Sequence, residues 1–149
     1  MKVFDPVALI LRKKGNEIWS VPSDTTVYSA MEMMADKDVG ALLVIDDSQL
    51  VGIISERDYA RKVILMGRSS KETPVREILS APLITIRPDC SVDEAMRLIT
   101  TNRIRHLPVV CDEIVQGVIS IGDLVQWIAF AQDQTIEHLE HYIEGKYPC

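Results

Sequence analysis

The sequence has few of the residues that mark specialised classes of protein. Its 149 residues include three cysteines, seven glycines and seven prolines, and only 5% are aromatic. The cysteines, Cys90, Cys111 and Cys149, match no metal-ligand spacing, and their odd number gives no disulfide framework, so we expect reduced thiols. With 47% hydrophobic residues and ordinary amounts of glycine and proline, the composition is that of a folded chain with a core.

The sequence also lacks long apolar runs and an excess of basic residues. No run approaches the roughly 20 apolar residues of a membrane span, and the run Val7 to Leu11 is too short for the core of a signal peptide. We therefore expect a cytoplasmic protein that does not enter a membrane. The formal net charge of −6 argues against a nucleic-acid-binding surface but leaves room for a local basic pocket that binds phosphate.

The chain contains an internal repeat with an offset of 65 residues. Residues 21–58 align with residues 86–123 without a gap, and eleven of the 38 pairs are identical. Seven of the other pairs, such as Met34/Ile99 and Ile53/Val118, keep an apolar residue opposite an apolar residue, so the chain holds two copies of one unit. The identical pairs are Asp24/Asp89, Val27/Val92, Ala30/Ala95, Met31/Met96, Leu42/Leu107, Val44/Val109, Asp47/Asp112, Gly52/Gly117, Ile54/Ile119, Ser55/Ser120 and Asp58/Asp123.

Each copy has the same predicted order of elements, β-α-β-β-α. A short extended segment precedes a helix that Thr26 or Ser91 can cap and whose apolar residues recur at i, i+3, i+4 and i+7. Two short β-branched runs then form a predicted hairpin, and a second helix begins near Glu56 and near Ile121. We predict an α+β fold (α/β-like) in which a tandem pair of units packs about a pseudo-two-fold axis, with ligand clefts between the copies.

The flanking segments complete the predicted domain organisation. Asp5-Pro6 before an apolar run is typical of a short lead-in helix, and Thr73-Pro74 precedes its counterpart. We assign residues 3–66 to the first unit with its lead-in helix, 67–73 to a linker, 74–132 to the second unit, and 133–149 to a C-terminal helix and tail.

The strongest local motif is a Gly-apolar-apolar-Ser-x-x-Asp turn at Gly52–Asp58 that recurs at Gly117–Asp123. Ser-x-x-Asp at a helix start is the spacing of a capping box, which is a structural role. A functional role would use the same geometry, because free N–H groups at a helix N-terminus suit phosphate and an aspartate one turn in can accept from both ribose hydroxyls. The two interpretations are compatible, because a serine can cap a helix and contact a ligand.

This turn, duplicated within a β-α-β-β-α unit, resembles the CBS domain family, named after cystathionine β-synthase. Two tandem copies resemble a Bateman module over about residues 3 to 131. The runs Gly52–Lys62, Gly67–Lys71 and Ile104–Val109 are similar to stand-alone, single-module CBS-pair proteins of bacteria and plant organelles. The resemblance implies a regulatory module that binds an adenosyl ligand (AMP, ADP, ATP, NAD(H) or S-adenosylmethionine) in the cleft between the repeats and signals to a separate partner.

The resemblance also implies which residues hold the ligand. Asp58 and Asp123 would bind the ribose hydroxyls, with Ser55 and Ser120 near the ribose and first phosphate. Arg57 lies inside the first turn and would also contact the ligand. The basic residues that follow this turn have the pattern of a solvated helix face, namely Arg61, Lys62, Arg68 and Lys71.

Further residues would bind the two ends of the ligand. Ser20 and Thr85, which match across the 65-residue offset, would lie at the adenine edge. Positive charge for phosphates would come from Arg103, Arg105 and His106, although these three also fit a solvated loop with a half-buried histidine. The equivalent residues 38, 40 and 41 carry no positive charge, so we expect two unequal sites or one occupied site.

No motif indicates catalysis, because the sequence has no P-loop, no GxGxxG and no plausible Ser-His-Asp arrangement. His138 and His141 lie three apart on the predicted last helix, but no further ligands follow, so we predict no metal site.

The resemblance implies homodimers through the second helices and an unknown regulated protein as partner. One rival interpretation is a ligand-independent protein–protein adaptor in which the Ser-x-x-Asp turns serve only as caps. The other is a small enzyme that acts on a nucleotide, and the lack of a candidate base or nucleophile argues against it.

Overall fold

Helices and strands follow one another in the predicted order, except that the first strand of the second copy is reduced to a single bridge, and the mixture of helices and sheets confirms the α+β class. The computed structural model describes residues 3–15, 17–80 and 82–133. The helices are α1 (Ala8–Lys14), α2 (Val27–Lys37), α3 (Glu56–Tyr59) with a π-helical continuation (Ala60–Ile64), a 3-10 turn (Val75–Glu77), α4 (Val92–Asn102) and α5 (Ile121–Asp133). The strands are β1 (Ser20–Val21), β2 (Ala41–Asp46), β3 (Gln49–Ser55), β4 (His106–Cys111) and β5 (Ile114–Ser120).

The chain forms two compact units, of which unit 2 comprises Trp19–Leu83. In its three-stranded sheet, β1 lies parallel to β2, and β2 pairs antiparallel with β3. The parallel pair needs a crossover, which α2 supplies, whereas a two-residue turn at Asp47 and Ser48 joins β2 to β3. Both turn residues have positive φ, as the tight hairpin turn requires. Apolar side chains of α2, β2 and β3, including Leu42 and Ile54, form the core.

Unit 1 comprises Met1–Ile18 together with Ile84–Cys149. Strands β4 and β5 form an antiparallel hairpin. The strand that would match β1 is reduced to a single parallel bridge between Ile86 and Val109, at the 65-residue offset from the pairing of Val21 with Val44. The core of unit 1 includes residues of α4, β4, β5 and α5, and also residues of α1.

The N-terminal helix packs within the unit that contains the second copy. Val7 and Ile10 are buried in the core of unit 1. The Val92 N–H donates to the Asp5 carbonyl (2.8 Å), and the Val7 N–H donates to the Cys90 carbonyl (2.8 Å). The lead-in helix that we grouped with residues 19–66 therefore has its contacts in unit 1. An apolar run shows that a segment becomes buried, but it does not show which core the segment enters.

The segment that follows the first copy has the equivalent role in unit 2. Its residues Val75 and Ile78 are buried in that core. The Val27 N–H donates to the Thr73 carbonyl (2.8 Å), which matches the bond from Val92 to Asp5. The predicted linker and the turn after it therefore belong to the packed structure of unit 2.

One glycine in each unit lets a leucine of the completing segment approach the sheet. A Cβ atom added at Gly52 in β3 would lie 2.9 Å from Leu79 Cδ2. At Gly117 in β5 the same atom would lie 2.7 Å from Leu11 Cδ2. A side chain at either position would have to shift the end of that leucine side chain.

The two described cysteines differ in state. Cys111 is disulfide-bonded, so the expectation of reduced thiols is wrong for it: an odd number of cysteines prevents complete pairing but allows one bond. Cys90 has a free thiol. Burial, together with the nearby carboxylates of Glu94 and Asp89, raises the pKa of Cys90 to about 11, so this thiol stays protonated and unreactive near neutral pH.

The predicted C-terminal helix, with His138 and His141, lies outside the described residues. Within residues 3–15, 17–80 and 82–133, no helix is both long enough and apolar enough to cross a membrane.

Candidate functional site

In unit 2 the duplicated turn folds as a reciprocal helix cap. Ser55 ends β3 in an extended conformation, and Asp58 lies in the first turn of α3. The Ser55 hydroxyl oxygen accepts from the Asp58 N–H (3.3 Å), and Asp58 Oδ2 accepts from the Ser55 N–H (2.9 Å). This arrangement is a capping box, so the structural role of the motif is confirmed for this copy.

The Asp58 carboxylate has several further partners within unit 2. Its Oδ2 also accepts from the hydroxyls of Ser55 (3.0 Å) and Ser80. Its Oδ1 lies 3.1 Å from Lys62 Nζ, which also donates to the Leu79 carbonyl (2.7 Å). Because the Asp58 side chain has these four partners and is only 10% exposed, most of its acceptor capacity is used by the unit itself.

The equivalent turn in unit 1 is more open. Asp123 Oδ2 accepts from the Ser120 N–H (2.8 Å), and the Ser120 hydroxyl oxygen accepts from the Asp123 N–H (3.1 Å). Lys14, the last residue of α1, places its Nζ 2.7 Å from Asp123 Oδ2 and 3.0 Å from the Val118 carbonyl oxygen. The Asp123 side chain is 19% exposed, and no hydrogen bond from the described part of the chain reaches its Oδ1. This corner therefore keeps an acceptor for a ligand.

The structure brings His106 and Arg105 to the same corner of unit 1. The Cα atom of His106 is the pairing partner of Ser120 across the hairpin, and the Arg105 carbonyl accepts from the Ile121 N–H (2.9 Å) at the start of α5. Burial lowers the pKa of His106; the Asp123 carboxylate opposes this change, whereas the cations of Lys14 and Arg105 add to it. The corner thus combines one carboxylate with a neutral imidazole and two cations.

We expect His106 to make the stability of unit 1 depend on pH. In the unfolded chain an imidazole titrates near its ordinary pKa of about 6.5. Because the folded pKa lies below that value, the unfolded state binds more protons as the pH falls through about 6.5, and the free energy of unfolding decreases. His106→Gln should flatten this dependence when urea unfolding is compared at pH 7.5 and pH 5.5. If the free energy of unfolding of the variant changes with pH as much as that of the wild type, then other groups cause the pH dependence.

The structure also places the four remaining predicted residues. Ser20 lies in β1, where its Cα pairs with that of Leu43, and Thr85 is exposed just before the bridge residue Ile86. Arg57 is exposed on α3, and Arg103 ends α4 with a positive φ of 53°. Their roles toward a ligand stay predictions.

Sequence reasoning missed three residues that contact the motif carboxylates. Lys62 follows Asp58 by four residues, so helical spacing could have indicated the ion pair. Ser80 and Lys14 gave no such signal, because they lie 22 and 109 positions away from their aspartates.

The described residues contain no group of three or more His, Cys, Asp or Glu side chains that could hold a metal ion.

Comparison with known sequences identifies relatives of the duplicated unit. The family model described as CBS domain matches residues 12–64 and again residues 75–130. The mitochondrial CBS domain-containing protein CBSX3 of Arabidopsis thaliana is 44% identical over 138 residues, covering 89% of this chain and 66% of that protein. The CBS domain-containing protein YhcV of Bacillus subtilis is 32% identical over 108 residues, covering 72% of this chain and 76% of YhcV. The chain thus spans just under two thirds of the length of the Arabidopsis relative.

Solved structures show the same fold. A Burkholderia ambifaria protein with CBS domains, named for signal transduction, has a TM-score of 0.81 at 47% identity, covering 88% of this chain and 98% of the other. The hexameric CBS-CP12 protein of bloom-forming cyanobacteria has a TM-score of 0.71 at 27% identity, with 87% and 76% covered. A CBS domain pair solved with 5′-methylthioadenosine and S-adenosyl-L-methionine has a TM-score of 0.76 at 23% identity, with 86% and 98% covered, which is evidence for the fold alone.

Proposed function

Because this chain belongs to the CBS-domain family, we propose that it is a regulatory module that binds an adenosyl ligand of the AMP, ATP or NAD(H) class and signals to a separate partner. The observation that carries this proposal is the corner of unit 1. There, Asp123 is held at a helix start with Oδ1 unoccupied by the described residues, beside Lys14 and His106. A carboxylate placed in this way can accept from a ribose diol.

The capping role of the motif does not compete with this function in unit 1. Capping uses the Asp123 Oδ2 atom and the Ser120 hydroxyl oxygen, whereas a ribose would use Oδ1. In unit 2, Oδ2 of Asp58 has three donors and Oδ1 has Lys62. We therefore propose that the corner of unit 1 is the stronger site, in line with the expectation of unequal sites.

Two relatives support a regulatory role. The Arabidopsis protein is named for its CBS domains, and the Burkholderia structure is named for signal transduction. The neighbour with bound adenosyl compounds gives this fold a precedent for the ligand class, but at 23% identity it adds nothing specific to this chain. We propose that the chain is not an enzyme. A cytoplasmic location stays a prediction, and one relative is named as mitochondrial.

We also propose a homodimer that forms through the second helices of the repeats. On α5, Ile121 and Val125 are exposed large apolar side chains, and in unit 2 Ile64 and Leu65 follow α3 with their side chains exposed. Burying such side chains against a second copy would be favourable. Oligomers occur in the fold, because the cyanobacterial CBS-CP12 protein is hexameric.

Titration calorimetry with AMP, ATP, NAD+ and NADH tests the proposed function. We expect at least one of these ligands to bind, and Asp123→Asn to weaken it roughly 10- to 100-fold, because hydrogen bonds to a charged group contribute about 1.5–3 kcal/mol. Asp112→Asn makes the same chemical change at the exposed β4–β5 turn and should leave the affinity unchanged. No heat with any of the four ligands would favour the ligand-independent adaptor.

A further inference from the structure

Lys14 reaches the motif carboxylate of unit 1 from a distant part of the sequence. It is the last residue of α1, and its Nζ donates to Asp123 Oδ2 (2.7 Å) and to the Val118 carbonyl (3.0 Å). An ammonium group has three donors. With two acceptors in the described structure and a side chain that is 40% exposed, Lys14 can give a third hydrogen bond to a group that arrives from solvent.

The surroundings of Lys14 favour an anionic group as that third acceptor. The charges of Asp123, Lys14 and Arg105 all act on His106 at this corner, and Asp123 is the carboxylate among them. One carboxylate beside two permanent cations leaves an excess of positive charge. A ribose bound to Asp123 is neutral and would not compensate it, whereas a phosphate attached to that ribose would.

The lysine of unit 2 is equally exposed, at 39% of its side chain, and differs from Lys14 in the number of its acceptors. Lys62 Nζ has three acceptors, namely Asp58 Oδ1 (3.1 Å), the Leu79 carbonyl (2.7 Å) and the Ile78 carbonyl (3.4 Å). The positions that match Arg105 and His106 are occupied by glycine and alanine at residues 40 and 41. The difference between the two corners therefore lies in the charge available to a ligand as well as in the exposure of the aspartate.

We propose that Lys14 is the residue that makes the corner of unit 1 select phosphorylated nucleosides over the corresponding nucleosides. This inference rests on the proposed function, because it assumes that the Asp123 corner binds a ribose. The Lys14 ammonium donates to a phosphate oxygen while Asp123 accepts from the sugar. Lys14 thus determines specificity although it lies outside the duplicated motif.

The test compares AMP with adenosine by titration calorimetry on the full chain. The wild type should bind AMP more tightly than adenosine. Lys14→Met, which keeps an unbranched apolar stem, should lower the affinity for AMP roughly 10-fold and change the affinity for adenosine less than about twofold. Lys14→Arg should keep the preference for AMP, because the charge remains. The matched control is Lys13→Met: Lys13 is the neighbouring residue, but its Nζ lies over the Phe130 ring at 4.0 Å, so the preference should not change.

Each other result overturns the inference in a recognisable way. Equal weakening of AMP and adenosine by Lys14→Met would show that the lysine only positions Asp123. Tighter binding of both AMP and adenosine would show that Lys14 competes with the ribose for Asp123. An unchanged preference for AMP over adenosine would show that other residues bind the phosphate. These three results leave the proposed function intact. A wild type that binds neither AMP, ATP, NAD+, NADH nor adenosine would overturn the proposed function and this inference together.

Discussion

Replacing Val7 by aspartate is expected to unfold unit 1, although Val7 lies 77 residues before Ile84, where the rest of that unit begins. Val7 is fully buried in the core of unit 1. An unpaired charge in such a position costs several kcal/mol after relaxation, on the order of 5 kcal/mol. The total stability of a domain is about 5–15 kcal/mol, so this single change removes much or all of it.

Hydrogen exchange measured by mass spectrometry locates the effect. In Val7→Asp, peptides from α4, β4 and β5 should lose protection to a greater extent than peptides from β2 and β3. The mirrored variant Val75→Asp should reverse this pattern, because Val75 is fully buried in the core of unit 2. Phe4→Asp is the control on the same segment, because Phe4 is 72% exposed and should tolerate the change. Loss of protection in β2 and β3 of Val7→Asp, with β4 and β5 intact, would contradict the assignment of α1 to unit 1.

Asp58→Ala is expected to destabilise unit 2 by about 3 kcal/mol. The substitution leaves the Ser55 N–H, the Ser80 hydroxyl and the Lys62 ammonium without their shared acceptor, in a place where Asp58 is 8% exposed. Asp123→Ala should cost less, about 1 kcal/mol, because Asp123 is more exposed and its partner Lys14 can turn toward solvent.

Urea unfolding of the two variants, together with exchange protection in each unit, measures these losses. Asp58→Asn should lie between the wild type and Asp58→Ala, because an amide oxygen can still accept from the Ser55 N–H. Equal losses for Asp58→Ala and Asp123→Ala would mean that the two corners are equally important to the fold. In that case the argument that unit 2 uses its aspartate mainly for structure would be wrong.

The local structure of each copy could be predicted from the sequence because its signals are local. Thr26 and Ser91 accept hydrogen bonds from the N–H groups of Ser29 and Glu94, as their positions before apolar-periodic segments predicted. The hairpins and the strand-to-helix corners follow in the expected order, since turn residues and alternating apolar runs lie next to each other in the sequence.

The completing segments and the lysines could not be predicted because they depend on distant partners. The runs that start at Val7 and at Val75 have similar apolar patterns and an equivalent preceding proline, so either run could cover either core. Lys14 belongs to a run of three basic residues at the end of α1, and nothing in that run distinguishes the lysine that meets Asp123. Such pairings are decided by the fold of the whole unit and not by neighbouring residues.

The split of unit 1 into two stretches of chain has a consequence for its synthesis. The stretch of unit 1 that contains α1 leaves the ribosome before unit 2, but the strands and helices against which α1 packs are made after unit 2. Unit 2 is one continuous stretch and can fold in the meantime, whereas the apolar side of α1 waits on the order of 10 seconds for its partners at ordinary rates of translation. During this interval the nascent chain exposes a short apolar segment, and a chaperone or an incorrect partner can bind to it.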